Sequence, residues 1–165
     1  MIRPVTALLF LVFLLPAAPA LADCTDPPRP GVDWRRCYHD ERDLAGVNMT
    51  GANLRSASFT RATLKGADLS GAEGFKARFV SADLRGANLS GVEFQEADFT
   101  KADMRDASLQ AADLRRTRLF NADLRGADLS GADLTGARLQ GAQLGGATWT
   151  DGRYVCAEGS VGQCN

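Results

Sequence analysis

An all-β protein wound as a coil of square cross-section is the fold class this sequence predicts, and three observations carry the prediction. The first is a five-residue repeat from Ala52 to Trp149: alanine, then usually Asp or Asn, then Leu or Phe, then two polar or glycine positions. Of the 20 first positions from 52 to 147, all are alanine except Val92 and Thr117, and the third positions hold 13 Leu, four Phe, Met104, Trp149 and Gly74. The second is that a period of five suits neither regular element. On an α-helix each step of five turns the leucine by roughly 140°, leaving no stripe to bury. On a strand the Ala and Leu two apart share a face, but the next Ala points the other way. A corner in every repeat removes the conflict, so that each repeat is a very short strand with Ala and Leu inward. The third is a superposed period of 20, at which Phe59, Phe79 and Phe99 recur, as do Lys65, Arg85, Arg105 and Arg125. Four repeats therefore make one coil, and equivalent residues of successive coils stack.

The corners follow from the glycines. Fifth-position glycines concentrate in two of the four series, at 46, 66, 86, 126 and 146 and at 51, 71, 91 and 131. Those corners suit type II turns, which need φ > 0 at one position. The two glycine-poor series are expected to use other turn types.

Before the repeat stands a leader. Arg3 supplies a positive start, Val5 to Leu15 is almost wholly apolar, Pro16 ends the run, and Ala20-Leu21-Ala22 offers small residues for cleavage before Asp23. The run is too short to span a bilayer well and reads as a Sec-type signal peptide over residues 1–22. Asp23 before Cys24 argues against lipidation. Export to an oxidising compartment, periplasmic or secreted, makes disulfides of the four cysteines. Cys24 and Cys37 lie near one end of the repeat and Cys156 and Cys164 near the other. Bridged Cα atoms must lie within about 7 Å, so Cys24–Cys37 and Cys156–Cys164 are the expected pairs.

The motif Ala-(Asp/Asn)-Leu-x-x, seen as Ala67-Asp68-Leu69-Ser70-Gly71 and Ala127-Asp128-Leu129-Ser130-Gly131, resembles the pentapeptide-repeat family. The resemblance implies a right-handed quadrilateral β-helix. The ends, Pro30-Gly31-Val32-Asp33-Trp34 with Cys37 and Cys156-Ala157-Glu158-Gly159-Ser160 with Cys164, are similar to those of exported members. Extending the phase backwards puts Trp34, His39, Leu44 and Met49 in the central slot, which gives about six coils and a rod of roughly 28 Å. The expected organisation is a cap with a first partial coil over 23–41, the β-helix over 42–151 and a second cap over 152–165. The caps shield the open edges of the first and last coils.

Two irregularities stand out. Gly74 takes a core slot where Leu or Phe belongs: either a bulge turns Phe75 inward, or Phe94 and Val92 of the next coil fill the space, leaving Phe75 as an exposed contact residue. Thr117 accompanies the change from phenylalanine to Leu119 as compensating volume.

Function must reside on the surface. Lys65, Arg85, Arg105 and Arg125 form a basic ridge beside Asp43, Asp83, Asp103 and Asp123. Its two readings are a compensated solvated face and a strip for a protein or polyanionic envelope partner. A second column holds Val80, Thr100 and Phe120, flat and partly apolar, flanked by Arg78, Arg118 and Arg138. A single histidine, His39, in a core slot argues against an enzyme, and neither a cofactor nor a metal site is expected: the glycine-rich nonapeptide that binds Ca²⁺ in other β-helices is absent. A net charge of −1 over 165 residues is not that of a nucleic-acid binder. Some members of the family resemble DNA and act on topoisomerase, and members often dimerise through an apolar end. That role needs a cytosolic place and a strongly acidic surface, so a non-catalytic, monomeric interaction protein is the reading this sequence favours.

Overall fold

The computed structural model describes residues 23–165, and the expected signal peptide lies outside the described residues. From Asp33 to Thr148 the second-position residue of each repeat bridges in parallel to the residue 20 further on. Four columns result, running 33 to 133, 38 to 138, 43 to 143 and 48 to 148; they are called faces 1 to 4. The pairing begins at Asp33, inside the segment expected to hold the first cap and partial coil.

Hydrogen bonding explains the residue pattern. The first-position N–H closes a turn onto the preceding third-position carbonyl, as in Ala52 to Met49 at 3.0 Å. The second-position N–H donates to the previous coil (Asn53 to Val32, 2.9 Å), and the third and fifth donate to the next (Leu54 to Glu73, 2.6 Å; Ser56 to Phe75, 2.9 Å). The fourth N–H has no place in this ladder. The second-position carboxylate or amide accepts it instead, as Asp68 does from Ser70 at 2.9 Å and Asp83 from Arg85 at 3.2 Å. An acceptor two residues ahead is what Asp and Asn supply best, so their place in the motif follows from an orphan donor.

The turns depart from expectation. Fifth-position residues have positive φ on all four faces, at Gly51 (63°) and Gly66 (63°) but equally at Ser56 (58°) and Arg61 (59°). The glycine-poor corners therefore use the same type II geometry, because their fifth-position N–H must reach the next coil just as a glycine's does. Twelve non-glycine residues accept this conformation, at a cost on the order of 1 kcal/mol each. Glycine also leaves room for a neighbour that leans over: a Cβ at Gly126 would meet the Asp106 carboxylate of the coil before, and one at Gly141 the Asn121 amide, so either side chain would have to turn away.

The core is a continuous column of first-position alanines and third-position Leu, Phe and Met, nearly all fully buried. On face 2 the rings of Phe59, Phe79 and Phe99 stack, with centroids 5.1 and 5.0 Å apart. Phe94 of face 1 lies against Phe79 at 5.4 Å, and its ring occupies the room that Gly74 leaves: a Cβ there would run into it, with Cζ at 3.2 Å. Phe94 and not Phe75 resolves the gap. Thr117 is buried and its hydroxyl donates to the Leu114 carbonyl at 2.7 Å.

Cysteines pair at both ends, Cys24–Cys37 with Cα atoms 5.4 Å apart and Cys156–Cys164 with Cα atoms 4.9 Å apart. At the first end the Trp34 indole N–H donates to the Asp26 carbonyl at 3.2 Å, tying the segment over the first ring of the core. At the last end the chain doubles back and bridges antiparallel to the final coil, Val161 to Gln143 and Val155 to Thr148. This closing is narrower than expected. The tail satisfies the edges of faces 3 and 4, while Leu134, Ala137 and Leu139 on faces 1 and 2 stay partly exposed. An eight-residue separation between the two cysteines makes a loop too short to cross all four edges.

Candidate functional site

The basic ridge forms on face 3 as a single column, and its charges are largely spoken for. Arg85 grips Asp83 with two parallel hydrogen bonds of 2.8 and 2.6 Å, Arg105 grips Asp103 at 2.9 and 2.7 Å, and Arg125 grips Asp123 at 2.8 and 2.5 Å. Each coil also leans on the next, with Arg85 Nε 3.6 Å from Asp103 and Arg105 Nε 3.6 Å from Asp123. The guanidinium forks hold the Asp83 and Asp123 carboxyls below the usual carboxylate range. The same local device recurs on face 1, where Arg115 holds Asp113 down to about 2. Lys65 is exposed and has no carboxylate within salt-bridge distance among the described residues. Position 145 continues the column as glycine, and Glu158 of the tail enters the space, so that a Cβ there would lie 3.0 Å from its carboxylate.

Uncompensated charge sits elsewhere. A groove of about 660 Å³ follows the corner between faces 1 and 2. Lys76, Arg78, Arg116, Arg118 and Arg138 line it against two carboxylates, Glu96 and Asp98. The pairings are loose: Lys76 to Glu96 at 3.6 Å, Arg116 to Glu96 at 3.9 Å and Arg118 to Asp98 at 3.4 Å. Sequence reading found Arg78, Arg118 and Arg138 as a column but missed Lys76 and Arg116. Those two lie two residues earlier on the other side of the corner, so a comparison at an offset of two within the 20-residue period exposes them.

The apolar candidates do not form one patch. Phe75 is half-buried on the corner after face 1, with Lys76 Nζ 4.9 Å from its ring centroid and the Arg55 guanidinium carbon 5.9 Å away. It walls a hollow of about 400 Å³ that shares Glu96 and Arg116 with the basic groove. Val80 and Phe120, both half-buried, belong to the next corner.

His39 is built into the core. Its ring lies 3.8 Å from Trp34 and 5.5 Å from Phe59 by centroids, continuing the aromatic stack into the first coil. Arg42 donates to Nδ1 at 3.0 Å, which places the ring proton on Nε2 because a guanidinium cannot accept. That Nε2 is buried without a partner among the described residues. Burial first, and the Arg42 charge second, push the imidazole down to about 4 from an ordinary 6.5. A depressed pKa means full stability above pH 6.5, lost as pH falls toward 4, by at most about 3 kcal/mol. His39→Phe is expected to raise stability by about 1 kcal/mol at neutral pH. Its advantage over the native chain should grow between pH 6.5 and 4, as read by urea unfolding at each pH; an advantage independent of pH would show that the imidazole is solvated.

The family description "Pentapeptide repeats" matches this chain in eight copies, over residues 43–73, 77–116 and 112–148. No curated protein sequence matches it. Among solved structures, it is similar to HetL, a pentapeptide repeat protein involved in heterocyst differentiation regulation from the cyanobacterium Nostoc sp. strain PCC 7120. Identity is 33% over 75% of this chain and 68% of that one, with a TM-score of 0.42. It is also similar to trypsin-treated QnrB1 R167E, a plasmid-mediated fluoroquinolone resistance protein, at 21% identity over 73% of this chain and 64% of that one, with a TM-score of 0.52. A third is Rfr23 from the cyanobacterium Cyanothece 51142, at 23% identity over 71% and 90% of the two chains, with a TM-score of 0.38. With its 20-residue coil, its Ala-Asp-Leu register and the family match over more than half of its length, the chain belongs to the pentapeptide-repeat family.

Proposed function

We propose that the protein is a non-catalytic, exported interaction rod. It is a right-handed quadrilateral β-helix of about six coils counted from near Val32, with a disulfide-bearing cap and first partial coil over 23–41, the repeat helix over 42–151 and a disulfide-bearing cap over 152–165, and it acts in the periplasm or outside the cell. The observation that carries this reading is the continuous buried core with a disulfide at each end. Such a body has rigid flat faces and no interior site, and disulfides persist where the compartment is oxidising. His39, the single histidine, is enclosed by Trp34, Arg42 and Phe59 and is not available as a base. The partner is a protein or a polyanionic component of the envelope, met on an outer face. Lys65, Arg85, Arg105 and Arg125 take part as a rigid ladder of alternating charge, and Phe75, Val80 and Phe120 as apolar contacts. A near-neutral, ion-paired surface weighs against the DNA-mimic reading.

The test combines location and contact. Expressed in its host, the protein should be found outside the cytosol, beginning at Asp23 by mass spectrometry and carrying no free thiol. Crosslinking in the envelope should trap a partner that is lost when Lys65, Arg85, Arg105 and Arg125 are all changed to Glu. A full-length, reduced protein in the cytosol would refute the proposal. Each disulfide is worth on the order of 3 kcal/mol, so a reductant should lower the unfolding midpoint in urea.

A further inference from the structure

We propose that the last two coils carry a phosphate-binding cradle: Arg116, Arg118 and Arg138, arranged around Gly136, hold the dianionic phosphoryl group of a ligand. The inference depends on neither export nor the face 3 ridge.

Register brings the three guanidiniums together. Arg118 and Arg138 are bridged partners in successive coils of face 2, so their backbones lie about 4.8 Å apart. Arg116 stands two residues before Arg118, on the corner that opens the same groove. Gly136 is the next residue of that corner column, above Arg116, whose Cγ lies 3.4 Å from where a Cβ would be. The five earlier residues of the column, Arg36, Ser56, Lys76, Glu96 and Arg116, all carry side chains. Gly136 therefore adds no side chain of its own to the groove above Arg116, whose walls are cationic.

Charge is the second argument. Stacked like charges on bridged positions repel, and face 3 answers that repulsion by clamping an aspartate to each of Arg85, Arg105 and Arg125. Of the three arginines around Gly136, none is held by two parallel hydrogen bonds. Arg138 has no carboxylate within salt-bridge distance among the described residues, and Arg116 and Arg118 reach theirs only at 3.9 and 3.4 Å, one coil away. Their side chains are 77% and 58% exposed, so the donors remain free to turn. A tetrahedral dianion with several acceptor oxygens matches three planar forks better than a carboxylate does, because each fork can donate two parallel hydrogen bonds. The acidic pair Glu96 and Asp98 in the middle of the groove repels a long polyanion laid along the rod. That favours a single phosphoryl group at the coil 5 and 6 end, counting coils from Val32.

Two ligands share this chemistry, a soluble phosphate or phosphomonoester and the headgroup of an anionic lipid. The experiment titrates the protein with inorganic phosphate at low ionic strength by NMR, following the arginine Nε–H signals, and in parallel with phosphatidic acid vesicles by sedimentation. Saturable one-to-one phosphate binding is expected, with Arg118 and Arg138 signals moving and those of Arg85 and Arg105 still. Arg138→Gln should weaken it at least about tenfold, the loss of one charge-assisted contact, while Arg35→Gln, at a guanidinium held by Asp33 in the first coil, leaves it unchanged. Vesicle binding that Arg138→Gln abolishes assigns the site to a lipid headgroup; phosphate binding without vesicle binding assigns it to a soluble ligand. Equal shifts on ridge and groove, or phosphate and vesicle binding that Arg138→Gln leaves intact, would overturn the proposal. As a second variant, Arg118→Glu places a carboxylate in the cradle and should abolish binding with the circular dichroism and unfolding midpoint of the rod little altered.

Discussion

Phe79→Ala is expected to destabilise the rod by about 4 kcal/mol. Phe79 is fully buried and touches three other rings, with centroids 5.1 Å from Phe59, 5.0 Å from Phe99 and 5.4 Å from Phe94. Its removal forfeits the transfer free energy of the ring and leaves a cavity that the neighbours cannot fill, since each is pinned by the inter-coil hydrogen bonds of its own repeat. In a solenoid the damage is local but central, because each coil's stability depends on its neighbours. Phe79→Leu should cost far less, about 1 kcal/mol, as Leu119 holds the same slot two coils on. Urea unfolding followed by circular dichroism decides it. A loss below about 1.5 kcal/mol for the alanine variant would mean that the ring column is not close-packed.

Gly74→Leu, which restores the motif, is expected to destabilise the protein by about 3 kcal/mol. Leucine fills this slot in 13 of the 20 repeats from Ala52 to Trp149, so any reading by consensus would call the change favourable. The Phe94 ring already stands over Gly74. It is fully buried and hemmed by Phe79 and Phe99, so it cannot swing out to admit a side chain. The double variant Gly74→Leu/Phe94→Leu gives both slots the side chain that most coils use. It should recover most of the loss, with a coupling of about 2 kcal/mol between the two sites. Additive effects would show that Phe94 does not occupy the space over Gly74.

These two cases mark where legibility stops. That residues 54, 59, 64 and their successors face inward was readable, because a period of five with Ala and Leu two apart admits one chain geometry. Which ring fills the gap at Gly74 was open between Phe75 and Phe94. The choice depends on a contact across 20 residues, which no local pattern encodes. The turn types were misread for a related reason. Glycine is the residue that favours positive φ, yet Ser56, Arg61 and ten other non-glycine residues adopt it, because the inter-coil hydrogen bond outweighs a local preference of about 1 kcal/mol. The disulfide pairs were legible, since a rod keeps its ends apart. How much of the last coil the tail covers was not.

The ridge and the groove draw the same line on the surface. Both are columns of Arg visible at a spacing of 20, and what separates them is position within the repeat: the ridge arginines follow an Asp by two residues, while Arg118 and Arg138 stand in the second position themselves. Arg85 reaches back two residues and donates to Asp83, whereas Arg138 has another arginine, Arg118, as its bridged partner. The sequence by itself determined the coil, the identity of the inward residues and the places where the chain is stapled, since backbone geometry and burial follow from periodicity along one dimension. The tertiary structure alone decided which ring meets Gly74 and which arginines stay loosely paired, because those depend on side chains from different coils arriving within a few ångströms of one another.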